Sequence, residues 1–202
     1  ICIPGNAGTQ KIAENIKEDV LNFEAIYQII KNEKIDIVII GPEEPLVKGI
    51  VDYLNEKKIR VFGPDKFASQ LEGSKAFMKN LCKRNSIPTA NFGIFDNFDS
   101  AEKFIKKNKI PIVVKADGLA AGKGVSVCTS LEEAIANTKE ILAGKFKSSN
   151  SVILEEFLEG EELSYFVIVD ENSYKFFGAA QDHKRVGEGD LGPNTGGMGA
   201  YS

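Results

Sequence analysis

The stretch 112–127, IVVKADGLAAGKGVSV, constrains the chain more than any other. Ile112, Val113 and Val114 read as a buried strand ending at Lys115, and after a run of small residues Val125 opens a second strand. Gly118, Gly122 and Gly124 permit backbone conformations closed to other residues, while Ala120 and Ala121 keep the loop thin. A loop of this kind presents backbone N–H groups to an anion, and Lys115 and Lys123 bring positive charge from two sides. That chemistry suits a nucleoside triphosphate such as ATP. A P-loop is excluded, because Gly118 to Gly122 is one residue short, Gly124 replaces the metal-binding hydroxyl, and a strand follows where a helix is required. A Rossmann G-x-G-x-x-G must also open a helix, so it fails too. The plain alternative, a glycine-rich hairpin with two solvated lysines, stays open on this stretch alone.

Upstream, Ile1, Cys2 and Ile3 read as the end of a strand whose beginning is expected to precede the sequence. PGNAGT at 4–9 follows as a tight turn. Asn22 caps a helix that carries Phe23, Ile26, Tyr27, Ile29 and Ile30 on one face. The segment 35–40, IDIVII, is apolar almost throughout and predicts a strand covered on both faces, as in a parallel sheet. GPEEPL at 41–46 ends it, and a helix over 47–57 leads to a short strand at 60–62. This alternation predicts an α/β, Rossmann-like parallel sheet with ligands beyond the carboxyl ends of its strands, where PGNAGT and GPEEPL both lie.

A helix is expected from 71–75 to about 85, then a strand at 91–95. Asp99 with Glu102 reads as a capping box for a helix over 100–108, and Ser130 with Glu133 as a second box for a helix to 142. Strands are expected at 151–157, 163–169 and 174–181, the last two joined by the polar turn 170–173. Residues 182–202 are mostly glycine, charged and small polar groups, which predicts a disordered or ligand-binding loop.

The net charge of −4, with no dense basic cluster, argues against nucleic acid as a partner. No apolar run approaches a membrane span. Cys2, Cys82 and Cys128 are odd in number, widely spaced and outside any metal pattern, so they read as reduced thiols of a cytoplasmic protein. Only Arg60, Arg84 and Arg185 are arginines among 25 basic residues, which makes Arg185 in the glycine-rich tail conspicuous.

Taken together, PGNAGT, GPEEPLVKGIVD, FGP followed by LEGSKAF, IPTA, VVKADGLAAGKGV, LEEFLEGEELS and QDHKRVGEGDLGPNTGGMGAYS resemble the glycinamide ribonucleotide synthetases, ATP-grasp enzymes of purine biosynthesis. The segments occur in that family's order and spacing from residue 4 to residue 202. The resemblance implies a Rossmann-like N-terminal domain over 1–88, a small ATP-grasp lid over 89–157, and the start of a larger ATP-grasp subdomain over 158–202. The chain then looks incomplete at both ends.

It also implies ATP-dependent joining of glycine to 5-phosphoribosylamine through glycyl phosphate. Lys75 and Lys115 resemble the lysines that contact the phosphates. Gly118, Ala121, Gly122, Lys123, Gly124 and Val125 belong to the loop that closes over them. Glu155 and Glu156, with the backbone of Phe157 and Leu158, resemble the hinge that reads the adenine edge, although neighbouring residues alternate and only one glutamate can face it. Glu162 resembles the carboxylate on the ribose hydroxyls. Gly5, Asn6, Ala7, Gly8 and Thr9 are expected around the sugar phosphate, with Glu43, Pro45 and Leu46. The tail supplies Asp182, Arg185 and Asn194 as catalytic candidates and Thr195, Gly196, Gly197 and Met198 as substrate-binding ones. His183, the sole histidine, reads as a hydrogen-bonding group in preference to a general base. Mg2+ is implied beside ATP, with its ligands expected outside this sequence and none assigned within it. The competing reading is a nucleotide-binding ATP-grasp module without ligase activity.

Overall fold

A computed structural model describes every residue from Ile1 to Ser202 except Ala121, Gly122, Lys147, Ser148 and Asp190, and only the backbone of Pro193 and Asn194. The chain divides into two compact units, Ile1–Met78 and Lys79–Ser202.

In the first unit, β1 (Val38–Ile39) and β2 (Val61–Phe62) pair in parallel. Helix α1 (Phe23–Asn32) starts where expected, with the Asn22 side chain accepting from the Ala25 N–H at 3.2 Å. Its Ile26 and Ile30 pack with Ile50, Val51 and Leu54 of α3 (Ile50–Glu56) to form the core. The expected helix over 47–57 is in fact two. α2 (Glu43–Lys48) begins earlier, because extended Pro42 precedes it, two glutamates complement its N-terminus, and Pro45 is tolerated in a first turn. Gly49, at φ 94°, then ends α2 and admits α3 at an angle.

Two strand expectations are corrected. The 35–40 segment is paired over only two residues and covered on one face, with Ile37 49% and Ile39 71% exposed. Ile35, Val38 and Ile40 pack on the helical core, while Ile37 and Ile39 are left exposed. At the N-terminus, Cys2 makes an isolated parallel bridge to Asn15 and no strand. Further on, α4 (Gln70–Gly73) and α5 (Lys75–Arg84) flank an extended Ser74 where one helix was expected.

The second unit holds a four-stranded antiparallel sheet in the order β3 (Phe92–Phe95), β6 (Val152–Glu156), β4 (Ile112–Ala116), β5 (Val125–Cys128). Helices α6 (Phe98–Lys107) and α7 (Leu131–Leu142) contribute Ala101, Ile105, Ala134 and Ile141 to a core with Ile112, Val114, Val152 and Leu154. Ser130 caps α7 as expected, accepting from the Glu133 N–H at 3.1 Å. The α6 cap is Asn97, not Asp99. Asn97 is extended and accepts from the Ser100 N–H at 3.0 Å, whereas Asp99 already lies within the helix and Glu102 turns to Lys106.

A second antiparallel sheet has β8 (Tyr174–Gly187) between β7 (Ser164–Val169) and β9 (Leu191–Tyr201). The loop expected over 182–202 is therefore mostly strand. Backbone pairing forms it despite the glycines, with irregular register between His183 and Arg185 and between Arg185 and Gly187. No helix among the described residues is long and apolar enough to cross a membrane.

Candidate nucleotide site

Side-chain alternation gives β4 and β6 two chemically different faces. Ile112, Val114, Ala116, Val152 and Leu154 enter the core beneath α6 and α7. Val113, Lys115, Ile153 and Glu155 occupy the other face. Lys115 is paired in register with Ile153, which puts Glu155 at the diagonal position two residues along β6. The Lys115 Nζ donates to Glu155 Oε2 at 2.9 Å.

A second lysine, absent from the sequence-based set, reaches the same oxygen. Lys79 of α5 is 3% exposed, and its Nζ lies 2.9 Å from Glu155 Oε2. It also donates to Thr89 Oγ1 at 2.7 Å and lies 5.5 Å from the centroid of Phe92, the residue opposite Glu155 on β3. Two cations thus share one carboxylate oxygen, and the outward-pointing Glu156 carboxylate adds a more distant negative charge near Lys79. The other oxygen, Glu155 Oε1, is buried with no hydrogen-bond partner among the described residues, so the face retains an unused acceptor. The sequence carried no signal that singled out Lys79: with Lys75 and Lys83 four residues to either side, it lies on a helix face that reads as charged and solvated.

Glu155 and Glu156 separate as strand neighbours must. Glu156 points outward and accepts from the Asn91 backbone N–H at 2.9 Å and the Asn91 side-chain amide at 3.0 Å, bonds that hold its carboxyl below the usual carboxylate range.

The hairpin loop opens at the end of β4. Gly118, at φ 79°, donates its N–H to Asp117 Oδ1 at 2.9 Å. Gly124 accepts from the Ala116 N–H at 2.8 Å, and a β-carbon there would lie 2.6 Å from that of Ala120, so the loop closes only on glycine. Lys123 donates its backbone N–H to the Ala120 carbonyl at 2.9 Å, and Val125 pairs with Lys115. Ala121 and Gly122 lie outside the described residues.

Beyond β6, Phe157 and Leu158 are exposed. Glu162 forms an ion pair with Lys184, and hydrogen bonding to it raises the lysine above its ordinary range. Asp182 lies 3.6 Å from the same ammonium. Arg185 donates to the Gly192 carbonyl at 3.2 Å and is paired in register with Asn194. Thr195 Oγ1 donates to the Lys184 carbonyl and accepts from the Gly197 N–H, whereas Gly196 has open space around it and Met198 is exposed. His183 sits opposite Gly199, its ring 5.9 Å from that of Tyr201.

In the first unit the PGNAGT turn is held by its own side chains. Asn6 Oδ1 accepts from the N–H groups of Gly8 and Thr9, at 2.8 and 3.0 Å, and Thr9 Oγ1 accepts from the Asn6 N–H at 2.8 Å. Gly5, at φ 73°, leaves no room for a β-carbon against Asn15. Ala7 is exposed at the turn's tip. A phosphate at this turn competes with these internal bonds. Glu43 stands exposed in the first turn of α2, followed by buried Pro45 and half-buried Leu46, and Lys75 is the first residue of α5.

Solved structures identify the class to which this architecture belongs. The ADP complex of an N5-carboxyaminoimidazole ribonucleotide synthetase superposes with a TM-score of 0.69 at 20% identity, over 92% of this chain and 47% of that one. The biotin carboxylase domain of the Hydrogenobacter thermophilus 2-oxoglutarate carboxylase, solved with MgADP, gives 0.67 at 24% identity, over 82% and 38%. These likenesses establish a shared fold.

The chain belongs to the phosphoribosylglycinamide synthetase family: the family's N domain matches residues 1–72 and its ATP-grasp (A) domain residues 73–202. It is 51% identical over 200 residues to the phosphoribosylamine–glycine ligase of Mesorhizobium japonicum, covering 98% of this chain and 47% of that protein. The ligase of Escherichia coli strain K12 is 48% identical over 203 residues, again covering 98% and 47%. The crystal structure of the Thermotoga maritima ligase superposes with a TM-score of 0.80 at 35% identity, over 98% of this chain and 47% of that one. The chain spans about half the length of the curated relatives it matches.

Proposed function

We propose that the protein carrying this chain joins glycine to 5-phosphoribosylamine at the expense of ATP, giving glycinamide ribonucleotide, ADP and phosphate. The observation that carries the reading is the cationic face of the four-stranded sheet, where Lys115 and Lys79 share one buried carboxylate oxygen at the root of the glycine hairpin. Its two ammonium groups and thin loop suit a triphosphate. The family and the names of its ligase relatives supply the reaction.

In this reading Lys75 and Lys115 neutralise the phosphates, the 118–125 hairpin covers them, and the backbone of Phe157 and Leu158 meets the adenine edge. Glu162 exchanges its bond to Lys184 for the ribose hydroxyls. The backbone of the PGNAGT turn takes the 5-phosphate of the sugar and Glu43 accepts from its ribose hydroxyls, and the β8–β9 pair, with Asp182, Arg185 and Asn194, takes the reacting groups. The glycine carboxylate accepts the γ-phosphoryl group, which turns a poor leaving group into a good one. The amine nitrogen of phosphoribosylamine then attacks the acyl carbon, and as the C–N bond forms the acyl C–O bond breaks, releasing phosphate and a proton from the nitrogen. The protein's share is positioning and charge neutralisation, so a side-chain nucleophile is not required. Among the described residues, no group of three or more carboxylate, cysteine or histidine side chains could hold Mg2+.

The test uses the full-length protein. Lys115→Ala removes a charge-assisted contact of roughly 1.5–3 kcal/mol, on the order of 10–150-fold in ATP affinity by calorimetry. Phosphate release should require both glycine and 5-phosphoribosylamine. Equal ATP affinity in mutant and parent, or phosphate release independent of the two substrates, overturns the proposal.

A further inference from the structure

The two lysines on Glu155 differ in their freedom to leave it. Lys79 has a side chain 4% exposed, a second bond to Thr89 and the Phe92 ring beneath its ammonium. Lys115 has a side chain 25% exposed and stands at the root of the hairpin loop. A lysine that turns toward a nucleotide phosphate must give up the carboxylate it is bonded to. Were Lys115 the only counter-ion, its departure would leave a lone charge on a residue 3% exposed, a far less favourable state than the pair.

We propose that Lys79 is a positioning residue, the permanent counter-ion of Glu155, and that it frees Lys115 to move to the phosphates of a bound nucleotide. The inference rests on the nucleotide reading above and adds a residue that itself touches no nucleotide. It explains why one oxygen carries two ammonium groups while its neighbour Oε1 carries none: Lys79, itself held by Thr89, anchors the carboxylate in one orientation, and Oε1 stays turned away from both lysines. The arrangement works as an exchange in which Glu155 is paired before and after Lys115 moves.

The test measures ADP affinity by calorimetry in the full-length protein. Lys79→Met leaves Glu155 with Lys115 alone, so ADP binding must break that pair, and affinity should fall by roughly tenfold or more. Adding Glu155→Gln to Lys79→Met removes the charge that detains Lys115, and at least half of the lost affinity, on a logarithmic scale, should return. A residue needed only for folding gives no recovery when a second group is removed. Unchanged affinity in Lys79→Met, or a loss with no recovery in the double variant, overturns the inference. Should Lys79→Met fail to fold, ammonium NMR of the parent decides: on adding ADP, the Lys115 signal should shift and the Lys79 signal should stay. Movement of the Lys79 signal by as much as that of Lys115 overturns the inference. Failure of the underlying reading looks different, since ADP then binds parent and Lys115→Met equally, and both proposals fall together.

Discussion

Asn91 grips Glu156 from two directions, its backbone N–H at 2.9 Å and its side-chain amide at 3.0 Å, and thereby ties the start of β3 to the end of β6. These bonds favour the ionised carboxylate and lower its pKa. A lowered carboxylate adds stability at pH values above its ordinary 4.5, and that contribution is lost as pH falls through the lowered value. Asn91→Ala removes one of the two donors. Its urea midpoint should therefore lie below that of the parent at neutral pH, and the gap should narrow as the solution is acidified past the ordinary carboxylate range. A gap that does not change with pH would assign the loss to packing.

Tyr53 donates to the Glu24 carboxylate, and this bond pushes the phenol up to about 12. Because the raised group favours the protonated form, the bond stabilises fully below the ordinary value of 10.0, and that contribution is lost as pH rises through about 12. In an alkaline absorbance titration, the Tyr53 phenol should ionise well above the ordinary tyrosine value of 10.0. Glu24→Gln should bring its ionisation back toward that value. An identical titration curve in parent and Glu24→Gln would dismiss the bond.

Gly49 joins α2 to α3 in the left-handed region, and a β-carbon there would meet Lys66 Cδ at 3.3 Å. Gly49→Ala should cost about 1–2 kcal/mol in urea denaturation, the penalty of left-handed backbone for an L-residue. Gly41→Ala is the comparison, since a β-carbon at Gly41 meets nothing within 4 Å. Equal losses at both positions would remove the conformational explanation.

Cys128 is fully buried, and burial pushes its thiol up to about 11. Cys2 and Cys82 are half-buried. A thiol reagent at mildly alkaline pH should label those two and reach Cys128 only on the time scale of unfolding. Three equal rates would contradict the core position of β5.

Lys115 was legible in the sequence because it ends an apolar strand at a glycine loop, a place where a charged residue has little structural reason to stand. Lys79 was hidden, since a lysine in a helix reads as solvated and only the packing of α5 brings it to Glu155. The same limit explains the helix over 47–57, whose apolar periodicity continues through Gly49 although the backbone turns there. The capping boxes differed for a local reason. Ser130 is extended and free to cap, whereas Asn97 takes that conformation ahead of Asp99. In the tail, glycine and charge outweighed strand propensity in the reading, but β9 forms by backbone pairing to β8 and needs little from its side chains. Strand burial at 35–40 depended on what lies across the sheet, and composition does not record that.

The neighbouring glutamates of β6 also act on how the chain finds its pairing. Val152 and Leu154 lie in the helix-covered core, Glu155 meets two cations on the opposite face, and Glu156 meets Asn91 at the strand's end. Sliding β6 by one residue in either direction would exchange the two faces. It would push the Glu155 carboxylate toward Ile105 and Ile141 and leave two ammonium groups facing an apolar side chain. A strand of plain valines and isoleucines would tolerate that error, because either face would do. This strand carries its own proofreading: the charges that prepare a binding face also make the misaligned sheet too unfavourable to persist.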